Sequence, residues 1–169
     1  DKLTLEPFYR LHECRYMVYF PVITEQELAA RLERLAREEK ERIALDAITA
    51  DKVVCGEQQP ESDHFIQMEQ ASAGDDEGLH WREARGWFSY RLKTNGKKAA
   101  QVRIAYRPEP RRDARVYVNE VEVGVLADGG NVAAFAVPAS LQSAEVLTVK
   151  IAKGDKRITP HVYEVRLTE

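Results

Sequence analysis

The chain has 169 residues, 44% hydrophobic and 31% charged, a globular balance that excludes a disordered chain. Its formal net charge of −3 gives no general attraction to nucleic acid or to anionic membranes. No apolar run approaches the roughly 18 residues of a membrane span, and Cys14 and Cys55 are too few for a disulfide framework.

From Leu3 to residue 20 the chain is aromatic and apolar, bracketed by Pro7 and Pro21. Residues 15–20 read as a strand buried on at least one face. Such a strand needs a sheet to join, so residues 1–22 are expected to be the terminal strand of a preceding β domain. A chain opening Asp1-Lys2-Leu3 inside that strand, without a signal-peptide core, is expected to be cut from something longer.

A helix follows, placed over 25–42 within a linking segment of residues 23–48. Thr24 and Glu27 have the spacing of a capping box, and Ile23 and Leu28 that of a hydrophobic staple. Leu28, Leu32 and Leu35 recur at helical spacing on an otherwise charged rod. Such a narrow stripe is expected to pack on a β-sheet, because a helix of this length is marginal alone. Residues 49–63, with Gly56 and Pro60 as breakers, read as a hinge.

After the hinge the periodicity becomes two. Strands are expected over 65–70, 86–93, 99–107, 115–119, 121–126, 133–137, 146–152 and 161–167. Val102/Ile104/Tyr106, Val116/Val118 and Leu147/Val149/Ile151 alternate with polar neighbours. Glycine, asparagine, proline and aspartate mark the turns between these runs. Short strands at this spacing without a βαβ rhythm predict a mainly β fold, an antiparallel jelly-roll-like β-sandwich over residues 64–169.

Three motifs carry further information. They are Pro7-Phe8-Tyr9-Arg10-Leu11-His12-Glu13-Cys14-Arg15-Tyr16-Met17, Gly56-Glu57-Gln58-Gln59-Pro60-Glu61-Ser62-Asp63-His64, and the run from Gly78-Leu79-His80-Trp81-Arg82-Glu83 through Ala84-Arg85-Gly86-Trp87-Phe88-Ser89-Tyr90-Arg91-Leu92. In this order and spacing the chain resembles the C-terminal region of the bacterial β-L-arabinofuranosidase family of glycoside hydrolases, family 127 and its relatives. The resemblance implies a parent hydrolase whose (α/α)6 catalytic barrel, with its cysteine- and glutamate-held zinc, is not in this sequence. It therefore implies a non-catalytic accessory region whose partner is its own catalytic domain, in a bacterial periplasm or cytoplasm. A carbohydrate-binding module taking arabinose-containing glycans is the other reading.

The candidate chemistry follows from residue type. His12, Cys14, Cys55 and His64 match no zinc spacing, and no cofactor is required. If an ion is held it is calcium, with Glu69 of the opening strand and Glu164 of the last supplying two of its roughly six to eight oxygens; the favoured alternative is that both carboxylates are solvated or pair with nearby arginines. Asp75-Asp76-Glu77 reads as solvated charge. No carboxylate pair sits in an apolar run of the kind glycosidase chemistry requires.

Sugar recognition would rest on aromatics beside hydrogen-bonding groups. Trp81, read as lying in a loop between His80 and Arg82, suits a sugar or an interdomain groove. Period-two counting sends Phe88, Tyr90 and Leu92 to the core and Trp87 outward. Trp87 then needs cover from the leucine stripe, the catalytic barrel or a glycan, with the stripe nearest in sequence.

Overall fold

A computed structural model describes residues 22–127 and 129–169. The expected strand over 15–20, together with His12 and Cys14, lies outside the described residues. The chain divides between Ile43 and Ala44 into two compact units.

Helix α1, Glu25–Ile48, contains the expected helix and extends it. The capping box forms: Thr24 N donates to Glu27 Oε2 at 2.7 Å, and Glu27 N donates to Thr24 Oγ1 at 3.2 Å. Further down, Arg34 pairs with Glu38 and Arg42 with Glu39. Leu28, Leu32 and Leu35 are 46%, 57% and 47% exposed. The expected burial of this stripe is therefore not met. One leucine per turn makes a line too narrow to bury by itself, and capping and ion pairs support the helix locally. Leu32→Ala is accordingly expected to change the stability of the chain by no more than about 0.5 kcal/mol in urea unfolding.

Strand β1, Thr49–Val54, follows directly, and then a short helix α2, Gln58–Asp63. The expected hinge over 49–63 is thus folded structure. Val53 and Cys55 enter the core, and Pro60 sits in the first turn of α2, where its missing N–H costs nothing. The sandwich begins before residue 64, and Ala44 opens the second unit.

The eight expected strands all form, as β2 Gln67–Asp76, β3 Leu79–Lys93, β4 Gln101–Arg107, β5 Ala114–Val118, β6 Val121–Leu126, β7 Val132–Ala136, β8 Val146–Lys153 and β9 His161–Thr168. Every pairing is antiparallel. One layer runs β2-β3-β8-β5-β6 and the other β1-β9-β4-β7, with the single pair Arg82↔Val162 linking β3 to β9. Phe88, Tyr90, Leu92, Val116 and Ile151 from the first layer meet Val102, Ile104, Val165 and Leu167 from the second, all fully buried.

The main difference in extent lies between residues 71 and 85, where a loop is expected. There β2 and β3 continue as a hairpin closed at Glu77-Gly78, whose φ values of 54° and 89° are both positive, as a two-residue type I′ turn requires. Ala71, Ala73 and Gly74 hide this stretch from periodicity because none of them is a strong strand former.

Candidate functional site

The hairpin places residues 80–83 on a strand, so neighbouring side chains point to opposite faces. The expected grouping of His80, Trp81 and Arg82 is thereby split. His80 is exposed, with Nδ1 at 3.8 Å from Asp75 Oδ2.

Arg82 is only 7% exposed. Its Nε and Nη2 each donate to Glu61, at 2.6 Å to Oε1 and 2.6 Å to Oε2, the bidentate geometry that suits a guanidinium. Glu61, 3% exposed, also accepts from Gly56 N at 2.8 Å and from the Tyr90 hydroxyl at 2.6 Å. Burial alone would raise the Glu61 carboxyl, but Arg82, Gly56 and Tyr90 together hold it below its ordinary value. Burial, with Cys55 and Glu61 nearby, pushes the Tyr90 hydroxyl well up and keeps it a donor. Arg82 is thus an internal anchor between α2 and β3, with its guanidinium turned to Glu61.

Trp81 is partly buried and stacks on His161, with centroids 3.8 Å apart and planes 10° apart. Its ring crosses Gly74 on β2, where an added Cβ would come within 2.2 Å of Cζ2. The indole N–H is buried and has no hydrogen-bond partner among the described residues. One face of the expected sugar platform is therefore occupied by the protein itself.

His161 lies between two carboxylates, with Nδ1 at 3.1 Å from Asp76 Oδ2 and Nε2 at 3.2 Å from Glu83 Oε2. Asp76 also accepts from Arg107 at 2.7 Å and from the Tyr163 hydroxyl at 3.1 Å. Glu83 accepts from Arg112 and Ser72, and Arg112 reaches Glu109 at 2.9 Å and Thr159 O at 3.1 Å. Asp76, expected to be solvated, is instead a node of this network. Desolvation opposes ionisation of both carboxylates. His161, Tyr163 and Arg107 around Asp76, and mainly Arg112 around Glu83, hold them below their ordinary values. Both are held ionised, the opposite of what a general acid needs.

Trp87 finds its partners on its own sheet. Its Nε1 donates to Glu69 Oε2 at 3.0 Å across the β2–β3 pair, and Lys150 Nζ sits 4.9 Å from the ring centroid. The leucine stripe expected to cover this ring is itself half exposed. Glu164 is bound by Arg166 at 2.8 and 3.1 Å, and Arg166 reaches on to Asp46 at 2.7 Å. Glu69 and Glu164, offered as a calcium pair, therefore have separate partners in separate layers. Among the described residues no group of three or more histidine, cysteine or acidic side chains is placed to hold a metal ion.

His161 carries no motif of a site in its sequence context, Asp76 is read there only as solvated charge, and Glu61 enters only as part of the motif from Gly56 to His64. The one local signal for His161 is its place at the start of the last strand, after Thr159-Pro160.

These layers and their buried ion pairs define an antiparallel β-sandwich domain preceded by an amphipathic helix. Residues 44–168 match the family of unknown function DUF6805, and the chain belongs to that family. No curated protein matches it by sequence. Among solved structures it is similar to the ANX1 ectodomain from Arabidopsis thaliana, at 13% identity and a TM-score of 0.49 over 69% of this chain and 40% of that one. It is also similar to a family 35 carbohydrate-binding module from Clostridium thermocellum, at 12% identity and a TM-score of 0.46 over 69% and 96%. A third is the GH26-CBM35 β-(1,4)-mannanase of Podospora anserina, at 11% identity and 0.45 over 71% and 28%. The chain spans about two fifths of the ectodomain's length.

Proposed function

We propose that this chain is a non-catalytic accessory region that supports the catalytic domain of a glycoside hydrolase acting on arabinose-containing glycans. The observation that carries the supporting role is the leucine stripe of α1, with Leu28, Leu32 and Leu35 each about half exposed on a capped, charged helix. A stripe that adds little to the chain's own stability fits a partner's surface. The arabinofuranosidase assignment rests on the motif running from Gly78 to Leu92 and its two companions. In the full-length gene product, replacing all three leucines with aspartate should lower the melting temperature of the catalytic domain by several degrees. An unchanged catalytic domain, or a large loss of stability confined to the present chain, would count against the supporting role.

Direct sugar binding is the second reading, and Trp87 favours it. Its partly buried ring lies on a sheet face with Lys150 and Glu69 beside it, an aromatic surface flanked by hydrogen-bonding groups. Titration with arabinan oligosaccharides should then give saturable binding that Trp87→Ala weakens more than tenfold, since a stacking ring contributes about 2 kcal/mol. Equal titration curves for the two chains would remove this reading.

A further inference from the structure

A hollow of about 570 Å³ opens where the β2 bulge, β3 and the loops before β5 and β9 converge. Gln70, Arg85, Arg112, Lys153, Arg157 and Glu83 line it. Four of its seven lining residues are basic, in a chain whose formal charge is −3. Glu83 does not neutralise the rest, because it is already taken by Arg112 and His161. Arg85, Lys153 and Arg157 are exposed, and among the described residues no carboxylate lies within ion-pair distance of any of them.

The frame around these cations is fixed. Asp113 Oδ2 accepts from Asp155 N at 3.1 Å, and its Oδ1 accepts from Lys156 N at 2.9 Å. Lys156 Nζ donates to Pro110 O at 2.6 Å. At the far end of the loop, Thr159 N donates to Ala84 O at 2.9 Å, and Ala84 N donates to Thr159 Oγ1 at 2.9 Å. Arg112 ties the same loop through Thr159 O. The segment carrying Arg157 is thus pinned on both sides, and Gln70 stands beside it on the bulge with φ 50°.

We propose that this hollow is a binding site for an anionic ligand presenting carboxylate or phosphate oxygens. Guanidinium forks match the planar, two-oxygen edge of such groups. A held main-chain frame confines the ordering cost of binding to the side chains themselves. This inference is independent of the supporting role proposed above, since it concerns a different surface of the chain. It adds a ligand class that the arabinan reading does not contain. The uncharged pentose units of arabinan offer no counter-charge to three free cations.

The test is calorimetric titration of the whole chain at low salt with three probes: inorganic phosphate, trigalacturonate and uncharged arabinotriose. One of the two anions should bind saturably, with affinity falling at least tenfold between about 20 and 200 mM salt. The neutral trisaccharide should show no binding at this site. Arg85→Gln with Arg157→Gln should weaken the anion at least tenfold. Both side chains are exposed, so an unchanged melting temperature verifies that the fold is intact. Lys98→Gln, on the loop between β3 and β4, should leave binding unchanged. Tighter binding of trigalacturonate than phosphate assigns the site to acidic glycans, and the reverse assigns it to free phosphate. Either result supports the site. Absence of saturable anion binding overturns it, as does binding insensitive to the double substitution.

Discussion

Glu61→Ala is expected to remove about 3 to 5 kcal/mol of folding stability, the usual consequence of stripping one partner from a buried ion pair. Arg82 would keep its charge and lose both short contacts to Glu61, in a site that leaves it only 7% exposed in the native chain. Gly56 N and the Tyr90 hydroxyl would lose their acceptor in the same step. Urea unfolding of Glu61→Ala beside a Glu61→Leu, Arg82→Met double variant distinguishes a stranded charge from lost packing. The double variant should recover the part of the loss that comes from the stranded charge, because paired removal leaves no buried ion behind, while Gly56 N and the Tyr90 hydroxyl stay without their acceptor. If the double variant is as unstable as the single one, the stranded charge is not the cause.

The same pair sets a pH dependence. A carboxyl whose folded pKa is depressed contributes stability above its unfolded value, and that contribution disappears as pH falls through the folded value. Glu61, Asp76 and Glu83 are all shifted down. Their contribution should therefore be complete at neutral pH and start to fall below about pH 4. Glu61→Gln should flatten the acid limb of a stability–pH profile more than it changes the plateau slope near neutrality.

Gly56→Ala should be similarly damaging for a different reason. Gly56 sits at φ 83°, and an added Cβ would stand 2.5 Å from Trp81 O and 2.8 Å from Trp81 N. Those are main-chain atoms of β3, which is hydrogen-bonded to β2 through this stretch and meets β9 at Arg82. The strand has little room to retreat. Left-handed strain and the steric overlap together should cost roughly 3 kcal/mol or more. Gly78→Ala provides the control, since Gly78 has φ 89° with nothing within 4 Å of the added carbon. It should lose only the conformational part, about 1 kcal/mol. Equal losses at the two positions would show that contact with Trp81 is not what requires glycine at 56.

The sandwich was legible where alternation is strong. Val102, Ile104 and Tyr106, or Leu147, Val149 and Ile151, write one buried face directly into the sequence, and all six are buried. The α1 capping box was legible because its partners are three residues apart. Strand β1 escaped notice because Thr49-Ala50-Asp51-Lys52 carries no apolar alternation, and its pairing partner β9 lies more than 100 residues away. The site was harder still. His161 and Asp76 are 85 residues apart, and Arg82 and Glu61 are 21 apart, so topology alone brings them together. Reading Trp81 into a loop concealed the parity that turns Arg82 away from it. Extending one hairpin by a few residues changed which neighbours could share a ligand.

Strand β1 has a consequence for the solubility of any shortened form. As the outermost strand of its layer it is six residues long, carries Asp51 and Lys52, and has an irregular register between Thr49 and Asp51. Short length, charge and a bulge are the features that discourage a foreign strand from adding to a sheet edge. Starting the polypeptide at Phe65, where the periodicity first becomes two, would strip this guard. It would leave β9, His161–Thr168, with an open row of main-chain donors and acceptors along eight residues whose side chains are mostly buried. Such a fragment offers its neighbours a long, regular template. It should self-associate strand to strand, while a chain begun at Ala44 keeps its guard in place.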